Sequence, residues 1–528
     1  MVKDNIRMIT IATYSTIYEN EKKEKNEIIK EIQKYDMRKL LIGISILNNS
    51  QNEEPSIRTK YLRYKKINKQ ITDRFNNNIL FSKQGLLLLS KWVVAYGVNL
   101  ESEYLNNEFK DLENIIDLQL FTADYLPTDD IYSKLSYLYK NLALNTKRKL
   151  FNDIARSHYI FVELSKDKSK FKSSEYMDFN FDYSTKHGHT IEEYNAIIFS
   201  LERFHINANI LPIFNSEDFS KKMLNPKLFD EIISNITIEL HELKKWAIES
   251  INNAWDFTKF LEYPLIKLDD QHILSLNEDS ITNLSFEGLY YRIRHVYPNN
   301  DTAIITFLGR PFEKYVGLLT ENAVNESNKD NYQFIPEFKY GKGDGFDSSD
   351  SYIKIGHTLI AIEAKAKRPV FTTLFTDDDT KIFNGIRTIY SDPVLQAFKA
   401  FNSIMESSKS NLFEDIQEIY IISVSLMGIP RISEVQEIVK ANIEGKLGAI
   451  VVGNMNLNIE EFECFCSLVG QGVDVLNLLN GYCNENGCSP FLNFINSKLP
   501  NNINNNLKWV DQNFNRFVVR TSQILFNI

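Results

Sequence analysis

Residues 350–365, DSYIKIGHTLIAIEAK, set two β-branched runs on either side of Gly356-His357, a pattern that strongly favours a pair of strands. A two-residue connection with Gly at its first central position fits a type II′ hairpin turn. Counting outward from that turn pairs Ile355 with Thr358, Ile353 with Ile360 and Asp350 with Glu363. Side chains alternate between the two faces of a strand, so Ile353, Ile355, Ile360 and Ile362 share one face. Asp350, Glu363 and Lys365 share the other. Two carboxylates opposite each other across a ladder repel. A divalent cation reverses the sign of that interaction, and hard ions such as Mg²⁺ prefer carboxylate oxygens and retain several waters. Lys365 beside them can hold or help deprotonate an attacking water, or offset phosphate charge. A longer connection would shift this register.

The flanking sequence supplies helices in alternation with strands. Arg310–Val324 reads as a helix with Pro311 in its first turn, and 334–340 (FIPEFKY) as a strand. A glycine-rich turn at Gly341, Gly343 and Gly345 precedes the hairpin. This stretch, YGKGDG, lacks the GxxxxGK[ST] pattern of a P-loop. A helix over Pro393–Met405 and a buried strand over 419–428 (IYIISVSLMG) follow, then a helix over 432–442 and a strand over 448–453. The order α-β-β-β-α-β predicts an α/β domain with a mixed sheet covered by helices.

The hairpin with its two acids and lysine resembles the PD-(D/E)XK nuclease superfamily, which includes many restriction enzymes and repair nucleases. The matching residues are Asp350 and the E-x-K element Glu363-Ala364-Lys365, and the likeness spans about residues 305–430. It implies a restriction-endonuclease-like core in which Asp350 and Glu363 bind Mg²⁺ or Mn²⁺, with Ala364 in the same metal site. It further implies that Lys365 assists the water. Glu313 in PFEKYV stands where the family often has an acid on the helix before the sheet. Gln396 in DPVLQAF stands where a polar residue on the following helix is common. Ser349 precedes Asp350 where the family name has Pro, a position often changed in this superfamily. Asp344 and Asp347 compete for the first acidic role, and Asp350 is preferred because it begins the strand that pairs with Glu363. E-x-K alone is common; its place on a β-branched strand opposite an acid makes it specific. The plainer alternative is a solvated strand edge on which Lys365 pairs with Glu363 or Asp350.

The rest of the chain bounds the setting. With 528 residues it exceeds one ordinary core. Its 35 Phe and 26 Tyr with few Gly and Pro give ample core material, and mean hydropathy is −0.29. The most apolar stretch, Ile79–Val98, is interrupted by Lys83, Gln84 and Lys91, so no membrane span is expected. The start lacks a signal-peptide core, and the chain reads as cytoplasmic. Lys22–Leu47, Phe81–Val98, 130–145, Ile191–Phe204 and Phe229–Trp255 read as helices. The tract 166–189, with its lysines and His187 and His189, reads as an irregular loop. A domain boundary is expected near 260, dividing a mainly helical region (1–260) from a nuclease domain (261–528, core 301–430).

The net charge of −9 means that nucleic acid needs a local basic patch, bound cations or a partner protein. Lys365, Lys367, Arg368, Lys381 and Arg387 are candidates for such a strip. Cys464, Cys466, Cys483 and Cys488 match no standard zinc spacing, and free buried thiols are the better reading. The function expected is a Mg²⁺- or Mn²⁺-dependent nuclease acting on DNA or, second, RNA. By analogy of architecture it would be a bacterial anti-phage or restriction-type effector. The helical region would then bind nucleic acid, a partner protein or another copy of the chain. The alternatives are a non-catalytic nucleic-acid-binding or scaffold subunit that keeps the fold, and an assembly protein.

Overall fold

Apolar residues at helical spacing shape the first half of the chain. The computed structural model describes residues 10–49, 54–100, 104–105, 112–126, 144, 150–206, 212–366, 379–428, 433–485, 489–499 and 506–526. Helices Lys25–Ile32, Met37–Asn49, Lys83–Tyr96 and Leu112–Ala123 enclose one core. The helix Lys83–Tyr96 is buried nearly all round, as its composition requires. Its Lys91 ends among the carbonyls of Ser250, Asn253 and Asp256 at 2.8–2.9 Å, and burial pulls its pKa down to about 8. Among the described residues no helix is long and apolar enough to cross a membrane.

Several expectations change here. The run Lys22–Leu47 is two helices, split where Asp36 accepts from the amides of Arg38 (2.9 Å) and Leu100 (2.7 Å). The run Phe229–Trp255 is broken by a strand, Thr237–Glu239, because Ile238 pairs with Ile266 in a sheet. That sheet has four strands in the order Ile213–Asn215, His272–Ser275, Leu265–Lys267, Thr237–Glu239. It joins Thr237–Glu239, before position 260, to Leu265–Lys267 and His272–Ser275 beyond it. The tract 166–189 is not all loop: Asp178 caps a helix, Phe179–His187, which Gly188 ends at φ +74°. His189 is buried, and burial together with Arg292 lowers the pKa of His187 to about 4. The helix expected over 130–145 lies outside the described residues, Leu144 excepted.

Helices α1 (Leu150–His158, continued by a π turn to Leu164) and α2 (Ile191–Ile206) share the core of the C-terminal half. So do α3 (Thr302–Ser327), α5 (Ile459–Gly470) and α6 (Lys508–Phe526), with α4 (Asp392–Met405) on another core. The C-terminal half carries a five-stranded mixed sheet of β1 (Tyr332–Pro336), β2 (Ser351–Ile355), β3 (Thr358–Lys365), β4 (Glu418–Ser425) and β5 (Val451–Asn458). The order is β5-β4-β3-β2-β1; β1–β2–β3 are antiparallel and β3–β4–β5 parallel. One face, with Ile353, Ile360, Ile362 and Ile422, packs on α3 and α5. The other, with Tyr352, Leu359, Ala361 and Ile421, packs on α4 through Val394, Ala397, Phe401 and Ile404. This is the mixed α/β arrangement that the element order predicts.

Helix α3 begins eight residues before the expected Arg310, because Asp301 caps it by accepting from Ala303 N and Ile304 N. Pro311 therefore lies inside the helix rather than in its first turn, and it removes the amide that would bond Phe307. Phe307, Leu308, Phe312 and Val316 bury the helix on the sheet.

Candidate active site

The turn at Gly356 fixes everything that follows in β2 and β3. Gly356 has φ +58° while His357 has an ordinary φ, as a two-residue turn with Gly first requires. The observed register is Ile355 with Thr358, Ile353 with Ile360 and Ser351 with Ile362. Asp350 is one residue further out, and so next in line to Glu363. His357 is exposed, with Nδ1 2.9 Å from Asp415 O, and has no place in the site.

Asp350 is tied to β3 by one short bond: Ala364 N donates to its Oδ2 at 2.6 Å. The approach to Asp350 is held too. Ser349 N donates to Tyr352 Oη at 3.0 Å, and Phe338 N donates to Ser348 Oγ at 3.0 Å. Glu363 is 2% exposed, and Lys365 Nζ donates to its Oε1 at 2.7 Å. Its Oε2 is buried with no hydrogen-bond partner of good geometry, as is the Ser349 hydroxyl. Glu313 reaches the same place from α3, one turn beyond Gly309. A Cβ on Gly309 would lie 3.7 Å from Ala366 Cβ and 3.8 Å from Glu313 Oε1. Arg310 Nη1 holds Glu313 Oε2 at 2.9 Å.

Electrostatics follow from this crowding. Burial, then Glu363, then Glu313 push the Asp350 carboxyl well above the usual range, against the Ala364 amide and Lys365. Burial also raises Glu363, with Lys365 and Ser349 opposing it. Burial works against the charge of Lys365, but Glu363 outweighs it and the ammonium is raised above its ordinary value. The centre thus holds more carboxylate than its one ammonium neutralises, in a place that penalises charge. A bound cation relieves that imbalance, and the unpartnered Glu363 Oε2 is an oxygen free to meet one. No group of three or more His, Cys, Asp or Glu side chains among the described residues is spaced to hold a metal. A site here would consist of two carboxylates completed by backbone oxygen and water, as Mg²⁺ accepts.

No protein-family model matches the chain, and no curated protein matches it.

Of the other residues singled out from the sequence, Gln396 does not face the acids. It sits on the solvent side of α4, away from the face formed by Val394, Ala397, Phe401 and Ile404. Asp344 lies in a tight turn at φ +54°, and Asp347 pairs with Lys339 at 2.5 Å. Neither displaces Asp350. The YGKGDG stretch is a turn between two short strands, Lys339–Tyr340 and Phe346–Asp347. Lys367 and Arg368 lie outside the described residues, and Arg387 pairs loosely with Asp392 at 3.8 Å. Cys466 is buried, and burial raises its thiol well above the ordinary range; Cys483 is pushed up to about 11 the same way. Cys488 lies outside the described residues.

Two further residues belong to the site. Ser349, which stands where the family name has Pro, is buried beside Glu363. Arg310, at the expected start of the helix, holds Glu313. The i, i+3 spacing of Arg310 and Glu313 was the available signal.

Proposed function

We propose that the protein is a metal-dependent nuclease that hydrolyses phosphodiester bonds at Asp350, Glu363 and Lys365, in a core of the restriction-endonuclease-like kind. The observation that carries this reading is the burial of two carboxyls, both with raised pKa, at the end of one hairpin, with an ammonium 2.7 Å from one of them. Buried acids with raised pKa values in such a cluster are costly to the fold, and function is the common reason for keeping them. The order of strands and helices about the hairpin supports the reading, as does Glu313 on α3.

Asp350, Glu363 and the backbone oxygen of Ala364 would hold Mg²⁺ or Mn²⁺. When bound, the cation supplies charge stabilisation at the phosphorus oxygens and a more acidic water. The protein's own groups do the rest. The Ala364 amide fixes the rotamer of Asp350. Lys365, kept protonated by Glu363, donates hydrogen bonds to water or phosphate and offsets negative charge in the transition state. Arg310 holds Glu313 through Nη1. DNA is the substrate expected from the resemblance, with RNA second.

The test is cleavage of plasmid, linear duplex, single-stranded DNA and RNA in Mg²⁺ or Mn²⁺ against EDTA. Cleavage that needs the metal, and that Glu363→Ala and Lys365→Ala each reduce by about 10²–10³, is the expected result. Cleavage that survives both substitutions would place the chemistry elsewhere. A wild-type protein that binds these substrates without cutting any would favour a binding subunit.

A further inference from the structure

The π turn after α1, the first turn of α2 and one face of α6 leave a cleft of about 630 Å³ between them. Glu163, Lys166, Glu192, Arg516 and Arg520 line it, with His158 beside them. His158 is buried between the two acids, with Nε2 3.3 Å from Glu192 Oε1 and Nδ1 3.5 Å from Glu163 Oε1. Arg520 Nε meets Glu192 Oε1 at 3.2 Å, and Arg516 Nη1 meets Glu163 Oε2 at 3.4 Å. Both arginines project well into solvent from positions one turn apart on α6.

From this cleft the chain leads toward the carboxylate centre. Lys166, Lys168, Lys170 and Lys172 are all exposed. Lys172 reaches Glu175 at 3.5 Å, Glu175 accepts from Arg310 Nε at 3.1 Å, and Arg310 holds Glu313. Asp347, on the hairpin before β2, is held below the usual carboxylate range by Lys339 first, with Lys172 and Arg310 contributing. The lysine run therefore ends beside the site, on the side where Glu313 enters.

We propose that the cleft and this lysine run bind the sugar-phosphate backbone of a nucleic acid and lead it to the Asp350–Glu363 centre; this deepens the nuclease reading and rests on it. A chain of net charge −9 cannot hold a polyanion by its overall field, so binding must come from a local line of cations. Here Lys166, Arg516 and Arg520 line the cleft, and the exposed Lys168, Lys170 and Lys172 follow Lys166 along the chain. Ion pairs that reach solvent, such as Arg520–Glu192, are weak, so phosphate oxygens can compete with the carboxylates. Arg520 meets its partner through Nε, which leaves its terminal NH₂ groups for a phosphate, and guanidinium geometry suits that ligand. The two glutamates then act as internal competitors that weaken non-productive binding.

The test is fluorescence anisotropy with labelled single-stranded DNA, duplex DNA and RNA of about 20 nucleotides in EDTA, so that binding is read without cleavage. Arg516→Ala with Arg520→Ala should weaken the best probe about tenfold and lower the slope of log K against log salt by about 1.4–1.8. Glu163→Gln with Glu192→Gln should tighten binding. Lys168→Ala with Lys170→Ala, on an exposed segment, probes the same path if the arginine variant fails to fold. Unchanged affinity and salt slope in both cation variants would overturn the proposal. So would a wild type that binds no probe, including one whose cleft proves to hold an acidic protein instead. Metal-dependent cleavage undiminished in the cation variants would overturn it while leaving the nuclease reading intact. Binding through the cleft with no cleavage under any condition would do the reverse.

Discussion

Two clusters of this protein bury the same formal charge, two carboxylates and one cation, and treat it differently. Where α1, α3 and α5 meet, Arg156 donates to both oxygens of Glu463 at 2.7 and 2.8 Å and to Asp153 Oδ1 at 2.5 Å. Tyr315 Oη adds a third bond to Glu463 at 2.7 Å. Asp153 Oδ2 alone is left without a partner. Burial opposes the charge of Arg156, and the two acids more than restore it, so its pKa is raised. At the hairpin, by contrast, Glu363 accepts only from Lys365, Asp350 accepts from one amide, and both carboxyls are pushed up. The first cluster satisfies its charges with protein groups and works as a joint between helices. The second leaves them short of donors and waits for something else.

Removing the cation from each cluster separates these roles. Arg156→Ala leaves two acids buried without compensation, and chemical denaturation should show a loss of about 3–5 kcal/mol that added Mg²⁺ does not restore. At the hairpin, Mg²⁺ at about 100 times its Kd should stabilise the wild type by about 2.7 kcal/mol, and Asp350→Asn should abolish that gain. A variant that keeps the full gain would show that the ion binds elsewhere.

The metal-free protein gives a smaller effect with a definite sign. Asp350 and Glu363 are raised in the folded chain, so the folded state holds protons that the unfolded chain releases. Stability therefore falls as pH climbs from about 4, the ordinary carboxylate range, through the raised folded values. Asp350→Asn removes part of this penalty. In EDTA it should be more stable than wild type by about 1 kcal/mol above that window, with the difference closing at acid pH. A variant less stable at every pH would make Asp350 a structural residue like Asp153. Least affected should be Gln396→Ala, on the outer side of α4. Its stability should stay within about 0.5 kcal/mol and its cleavage rate near wild type. A large loss of activity would return Gln396 to the site.

The hairpin and its register were legible in the sequence because strand periodicity and a two-residue turn leave little freedom. Asp350 could be preferred over Asp344 and Asp347 for the same reason: only it continues the strand opposite Glu363. The order of elements from α3 to β4 was readable from alternating periodicity. Local signals also existed where the reading missed them. Asp301 after the Pro298-Asn299-Asn300 turn marks the start of α3, and Asp178 with Gly188 brackets the helix Phe179–His187. Long-range packing was not readable. Nothing local to residues 150–206 says that they complete the C-terminal core, or that Arg156 meets Glu463 across 307 positions. The strand Thr237–Glu239 likewise exists because its sheet partner overrides a helical pattern. The burial of Glu363 and the place of Ser349 beside it depend on the same three-dimensional closure.

The central claim is that Asp350 and Glu363 are short of a cation, and calorimetric titration of the metal-free protein with Mg²⁺ and Mn²⁺ tests it most directly. Run at about pH 6 in two buffers of different ionisation heat, it reads both ion binding and the protons released. The account predicts one site, proton release on binding, affinity that rises with pH, and loss of both signals in Asp350→Asn. Binding that releases no protons and persists in Asp350→Asn, or no binding at any pH, would contradict it.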